Sequence, residues 1–391
     1  MRPCEEGLPH FRSPTFITHN EALAKACAQW TSCEALALDT EFARARTYYP
    51  RVGLIQVFDG ETVYLIDPLA LSRLDPFFDV LRERSVLKIL HASSEDLEVF
   101  YHLGRTLPRP LFDTQLAAPF AGYGYAPGYQ RLVSQMLSVK LPKAETRSSW
   151  LQRPLTPSQV MYAAQDVIYL LPLYQMLQQR LAENGRECWV YQEVEKLLDA
   201  RRFHRTGHSS YRRMPQAWQL DPRGLEVLRR LCVWRDEQAR TRDLPRGFIL
   251  QDAVLLEIAR KRPITSLALK SIHGVPVAAV SRLGDTLVSL IQGALSVSEN
   301  ELPVPLPNPT AARAHAALMS KLKLIVSKKA AELDMPPQVL AHSRLIESLV
   351  RHAKTEGSDE LPREFQGWRK DVVGDALLAT LRHSSEAVPT A

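Results

Sequence analysis

The sequence predicts a mixed α/β domain followed by two all-α modules, and three observations carry that expectation. Strand-like runs alternate with helical patterns through the first 185 residues, and two of the runs are spaced as a hairpin. From Thr156 onward the pattern is almost wholly helical. Farther on, the chain repeats itself: Leu244-Pro245 is answered by Met335-Pro336, and Arg282-Leu-Gly-Asp-Thr-Leu287 by Val372-Val-Gly-Asp-Ala-Leu377. An offset of about 90 residues suits a small helical module rather than a short solenoid unit.

The α/β domain, placed at 14–200, is read element by element. Ala35 to Phe42 forms a strand; Val52 to Phe58 and Thr62 to Ile66 flank Asp59-Gly60, a pair that tolerates positive φ and predicts a tight hairpin. Leu87 to His91 is a further strand, followed by a helix from Ser94 to about Leu103 that Ser93 or Ser94 should cap. Leu111 and Phe112 run into a helix near Thr114, with Asp113 as its cap. Thr156, Pro157 and Gln159 supply a capping residue, a first-turn proline and a capping-box partner. Pro172 should kink or break that helix, Gly185 should end its continuation, and Cys188 to Arg201 reads as another amphipathic helix.

Residues 201–215 hold Arg201, Arg202, Arg205, Arg212 and Arg213 with two histidines and no acid, which reads as a basic linker. It is either a solvated connector or a nucleic-acid contact. The first helical module is placed at 216–299, its first long helix capped by Asp221-Pro222 and a later one by Thr265; the second is placed at 306–385, beyond a polar, proline-punctuated stretch.

Composition bounds the function. Hydrophobic residues at 45% and charged residues at 24% are ordinary globular values, which excludes a wholly disordered, collagenous or coiled-coil chain of 391 residues. No run approaches the roughly 18 apolar residues a membrane helix needs; Val167 to Leu177 is short and contains Pro172. The first residues lack the apolar core of a signal peptide. Five scattered cysteines without a C-x-x-C pair fit a reducing cytoplasm and no zinc site. A net charge of +6 is compatible with a polyanionic partner. With no heptad or apolar stripe, a monomer is expected.

Three acidic signals carry chemistry. Asp39 and Glu41 end the first strand two positions apart, hence on one face, where a divalent cation such as magnesium or manganese would neutralise them. An acidic pair ending a strand in solvent is the plainer explanation of that motif alone. Asp96 follows Ser93-Ser-Glu at a helix start, where the helix dipole already favours an acid. Tyr162 and Asp166 stand four apart and share a helix face; an aspartate among so many apolar neighbours should have a partner, and the plainer alternatives are a half-buried aromatic for Tyr162 and an ion pair with an arginine for Asp166.

In order and spacing these segments resemble the ribonuclease D family. The resemblance rests on Ala37-Leu-Asp-Thr-Glu-Phe42, Arg46-Thr-Tyr-Tyr-Pro50, Gly53-Leu-Ile-Gln56, Leu90-His-Ala-Ser-Ser-Glu-Asp-Leu-Glu-Val-Phe100, Phe112-Asp-Thr-Gln115, Glu145-Thr-Arg-Ser-Ser-Trp150 and Tyr162-Ala-Ala-Gln-Asp-Val-Ile-Tyr-Leu-Leu-Pro172. It implies a 3′-5′ exonuclease with a ribonuclease H-like mixed sheet flanked by helices, of the subclass with tyrosine in its third motif. The duplicated module is similar to the HRDC domain. Carried over residue by residue, the metal-binding carboxylates are Asp39, Glu41, Asp96 and Asp166, and Tyr162 orients the attacking water. The implied chemistry is hydrolysis with two divalent metal ions, Mg2+ or Mn2+, releasing 5′-nucleoside monophosphates one at a time. The implied substrate is RNA with a free 3′ end, in the 3′ maturation of tRNA precursors.

Candidate RNA contacts are Arg44, Arg46 and Arg51 after the first motif, Lys143 and Arg147, the linker residues Arg201, Arg202 and Arg205, and Tyr123, Tyr125 and Tyr129, whose rings could stack bases. Core packing explains each tyrosine as readily. His91 reads as a packed or hydrogen-bonded histidine. A DNA-directed 3′ exonuclease, a non-catalytic RNA-binding scaffold and a small-molecule phosphatase are the alternatives. The intact acidic set speaks against the scaffold, and the appended modules against the phosphatase.

Overall fold

The computed structural model describes residues 13–142, 148–199, 207–275, 277–306, 308, 316–355 and 360–386. They fall into two compact units: Met1–Ala43 with Val52–Asp199 and His315–Ala391, and Arg44–Arg51 with Ala200–Ala314.

The first unit opens with β1 (Thr15–Ile17), α1 (Asn20–Trp30), β2 (Ala35–Ala43), β3 (Arg51–Phe58) and β4 (Val63–Ile66). It continues with α2 (Asp75–Arg82), β5 (Leu87–Leu90), α3 (Ser94–Gly104), β6 (Leu111–Asp113) and α4 (Thr114–Ala117). Four helices follow: α5 (Tyr129–Leu137), α6 (Pro157–Ile168), α7 (Leu170–Glu183) and α8 (Glu187–Leu197). The six strands form one mixed sheet in the order β1-β4-β3-β2-β5-β6. β1–β4, β2–β5 and β5–β6 pair parallel, while β3–β4 pair antiparallel.

β2 lies inside the sheet. Consecutive Leu36, Ala37 and Leu38 are all buried, as a strand covered on both faces requires, and α3, α6 and α7 pack against it. Strand β5 carries a fully buried lysine. Lys88 donates from Nζ to the carbonyls of Glu83, Val86 and Arg109, each at 2.6 Å, so its ammonium is satisfied by backbone.

Several local expectations shift by a residue or two. The hairpin turn is centred on Gly60-Glu61, because Phe58 pairs with Val63; Gly60 alone takes positive φ (+103°), and the Asp59 carboxylate accepts the amides of Glu61 and Thr62. The helix break falls at Tyr169, which leaves Pro172 in the first turn of α7, where its missing N–H costs nothing. α8 ends at Leu197 rather than Arg201. Elements β1, α1, α2 and α5 carry no strong sequence signal.

The second unit contains α9 (Pro222–Thr241), α10 (Arg246–Ile249), α11 (Asp252–Lys261), α12 (Ser266–Lys270) and α13 (Val277–Leu295), packed around Leu228, Leu231, Leu255, Ile258, Leu269, Leu287 and Ile291. Asp221 accepts the Gly224 amide and Thr265 that of Ala268, as expected of caps. The core reaches back to Tyr211 and Met214, within the stretch read as linker. The segment after β2 belongs here as well: the Tyr48 hydroxyl meets Asp236 at 3.0 Å, and Asp243 accepts the amides of Tyr48 and Tyr49.

The C-terminal helices α14 (Ala316–Glu332), α15 (Pro337–Ala341), α16 (Ser343–Thr355) and α17 (Asp375–Glu386) belong to the first unit. Their anchor is Trp368, which stacks on Trp189 of α8 at 5.0 Å, meets Phe120 edge-on at 5.3 Å and donates its indole N–H to Glu193 at 2.8 Å. α9 and α14 end alike. Asp243 and Asp334 take φ of 48° and 49°, and the next amides, of Leu244 and Met335, reach back to Ala239 and Ala330 at 2.9 Å. This is one left-handed helix stop used twice, with proline following each time.

Candidate active site

β2 and α6 together bring acids to one place. Asp39 and Glu41 leave β2 two residues apart, and the capping box of α6 fixes where that helix begins: Thr156 accepts the Gln159 amide while Gln159 accepts that of Thr156. Asp166 therefore sits two turns later, with Tyr162 one turn before it. Asp39, Glu41 and Asp166 each offer an oxygen, and these atoms all lie within 4.8 Å of one another. Asp96, in the first turn of α3, is 6% exposed and accepts a hydrogen bond from Thr40, the residue between the two strand acids.

Burial raises the proton affinity of all four acids, and neighbouring carboxylates add to it at Asp39 and Glu41. Asp39 is held well above the usual carboxylate range, first by burial and then by the charges of Asp96, Asp166 and Glu41. Burial, then Asp166 and Asp96, pushes Glu41 up to about 9. Burial takes Asp96 and Asp166 to about 7, against opposing hydrogen bonds from Thr40 and Tyr162. The Tyr162 phenol is raised too, by burial and by Asp166, Glu41 and Asp39, so it stays protonated at neutral pH. Trp150 packs against its ring at 6.0 Å.

Among the described residues, no Lys, Arg or His forms an ion pair with any of these four acids. Their mutual repulsion is therefore uncompensated, and their donors are hard carboxylate oxygens. Both properties fit divalent metal, which the 3′-5′ exonuclease fold implies.

The remaining candidates divide. Asp113 caps α4, accepting the amides of Gln115 and Leu116, and also takes Ser93 Oγ and the Ser93 amide at 2.7 and 2.8 Å. Ser93, at the N-cap position of α3, consequently makes no side-chain capping bond to that helix. His91 bonds Thr114 at 2.9 Å and meets the Tyr129 ring at 5.4 Å. Tyr129 donates to the Gln165 carbonyl at 2.9 Å, so its ring is engaged in packing rather than free to stack a base. Tyr125 is 55% exposed and lines a cavity with Ser94 and Gln115; Tyr123 is half-buried and lines another with Arg186 and Asp334. Arg44, Arg46 and Arg51 are exposed, on the segment grouped with the second unit. Lys143, Arg147, Arg201, Arg202 and Arg205 lie outside the described residues.

Thr40 escaped the sequence reading. Strand alternation turns it away from Asp39 and Glu41, and only the position of α3 gives its hydroxyl a partner. A hydroxyl residue flanked by two acids at a strand end is the one signal that marked it.

Residues 14–182 match the 3′-5′ exonuclease family model and residues 224–291 that of the HRDC domain. The chain is 41% identical over 366 residues to ribonuclease D of Pseudomonas paraeruginosa, covering 94% of this chain and 97% of that one. It is 37% identical to ribonuclease D of Escherichia coli, covering 92% and 96%. The crystal structure of Escherichia coli RNase D, described as an exoribonuclease involved in structured RNA processing, superposes with a TM-score of 0.86 at 36% identity, covering 95% of this chain and 99% of the other. With relatives this similar along nearly its whole length, the chain belongs to the ribonuclease D family of 3′-5′ exonucleases.

Proposed function

We propose that this chain removes nucleotides singly from RNA 3′ ends, tRNA precursors included, by hydrolysis that uses two divalent ions and a tyrosine in the third motif. The observation that carries the reading is the uncompensated set Asp39, Glu41 and Asp166, with Asp96 beside it. These four carboxylates would hold the ions, Mg2+ or Mn2+. Such ions, when bound, stabilise charge on the attacking water and on the departing 3′ oxygen. Water adds to the terminal phosphorus, the bond from phosphorus to the 3′ oxygen breaks, and a 5′-nucleoside monophosphate leaves.

Tyr162 acts as a neutral phenol. Its raised pKa supports hydrogen-bonded orientation of the water over proton abstraction by a phenolate. Asp166 hydrogen-bonds the phenol from one turn away, and the Trp150 ring lies beside it at 6.0 Å.

The reading divides the chain into a nuclease domain at 14–200, a basic linker at 201–215 and two HRDC modules at 216–299 and 306–385 that hold RNA. The shared helix stop at Asp243 and Asp334 supports two copies of one module. No described helix is long and apolar enough to cross a membrane; a cytoplasmic monomer is proposed.

The test uses 5′-labelled RNA and DNA, each with a free or phosphorylated 3′ end, in magnesium, manganese or chelator. A ladder shortening from free RNA 3′ ends, and lost on chelation, is expected. Equal shortening of DNA would overturn RNA selectivity, and cleavage in chelator would overturn the metal assignment.

A further inference from the structure

A cavity of about 190 Å³ lies within the second unit, between the segment Gly207–Arg213 and the helices α9, α10 and α11. Ser210, Arg213, Met214, Arg235, Arg246 and Asp252 line it, so three guanidinium groups meet one carboxylate. Arg235 is only 4% exposed. Its Nη1 donates to the Leu250 carbonyl at 2.8 Å and to Asp252 at 2.7 Å, while its buried Nε has no partner among the described residues. A buried charged donor left unpaired is costly, so a site that retains one calls for an acceptor.

Arg246 directs Nε to Asp236 and Nη2 to the Tyr48 hydroxyl, which fixes its plane. Arg213 is exposed and makes no ion pair among the described residues. The volume equals about six waters at roughly 30 Å³ each, room for one tetrahedral oxyanion and part of its hydration. Guanidinium forks match phosphate oxygens in pairs, which a lysine cluster would not do.

We infer that this cavity binds a phosphate group of the RNA backbone, at a point where the arginine-rich stretch joins the first helical module. The inference rests on the reading of this chain as an RNA exonuclease. Arg235 supplies the buried donor, Arg246 a braced second one, and Arg213 an exposed third.

Inorganic phosphate is the first probe, titrated into the full chain by calorimetry, with wild type compared to Arg213→Ala and Arg235→Lys. Wild type should bind phosphate and both variants should lose that binding. Arg213→Ala truncates an exposed side chain, so it keeps the test open if Arg235→Lys proves unstable. The second probe is a long single-stranded RNA bound in chelator across a salt series. Arg213→Ala should reduce the slope of log affinity against log salt by about one. Hydrolysis of a dinucleotide should be unchanged in this variant, and it tests the nuclease reading separately in wild type. No phosphate binding by wild type overturns the site. Phosphate binding with an unaltered RNA slope assigns the cavity to a free anion and overturns RNA as its ligand.

Discussion

Thr40 donates its hydroxyl hydrogen to Asp96, so strand β2 both carries two of the clustered acids and tethers a third that comes from α3. The bond opposes the rise in Asp96 proton affinity that burial causes. Thr40→Val keeps the shape and deletes the donor, leaving Asp96 easier to protonate and less firmly placed. Hydrolysis should then require several-fold more magnesium for half-maximal rate at pH 7, and Thr40→Ser should recover most of the loss. An unchanged magnesium curve for the valine variant would remove Thr40 from the site.

Asp39 sits where burial and three other carboxylates act on it together. Asp39→Asn preserves the volume but removes a charge that the metal-free fold tolerates badly. Turnover should be abolished, while the melting temperature in chelator rises by roughly 2–4 °C, the shift that about 1 kcal/mol produces in a unit of this size. Loss of activity with a lowered melting temperature would mark the residue as structural instead.

Burial of these acids makes metal-free stability depend on pH. In the unfolded chain these acids titrate near 4, whereas in the fold Asp96 and Asp166 titrate near 7 and Glu41 near 9. The folded state therefore holds more protons between those values. The cluster's contribution is fully present below about pH 4 and is lost as pH rises through 7 to 9. Cations reverse the loss by displacing protons. The magnesium-induced rise in melting temperature should therefore grow from pH 6 to pH 9, and it should shrink at every pH in Asp166→Asn. A rise independent of pH would refute proton displacement by the metal.

Much of this was legible in the residues. The D-x-E pair on a strand and the four-residue spacing of Tyr162 and Asp166 follow from periods of 2 and 3.6, which sequence alone reveals. The capping box at Thr156 placed α6 correctly because both partners are local. Thr40, by contrast, owes its role to a residue 56 positions away, and the Trp189–Trp368 stack joins segments far apart in the chain. Ser93 misled for the same reason: a serine at a helix start is a cap by local rules, but here Asp113 from the neighbouring strand claims its hydroxyl.

Tyr162 lies close enough to Asp166 for a hydrogen bond, and burial, reinforced by the acids around it, keeps its phenol protonated. On the proposed water-orienting role, Tyr162→Phe should lower kcat by about 10²-fold with KM nearly unchanged, because the substitution removes a hydroxyl and no charge. The alkaline limb of the rate profile should stay where it is, because no phenolate is formed in wild type. A matching loss of RNA affinity would argue for substrate binding instead.

Trp368 joins the C-terminal helices to α8 in two ways, through the stacked Trp189 ring and through the Glu193 carboxylate, which also receives Arg369 at 3.0 Å. The two contributions can be separated. Trp368→Phe retains most of the ring area but removes the indole donor, and Glu193 keeps Arg369, so the expected cost is about 1 kcal/mol. Trp368→Ala empties a site that is 3% exposed, for which about 3–5 kcal/mol is typical. Limited proteolysis should then cut α14–α17 away from the alanine variant well before wild type, with the phenylalanine variant close to wild type. If both variants resist protease equally, the tryptophan stack does not hold these helices, and the contact of Arg186 with the Leu333 carbonyl is the next to test.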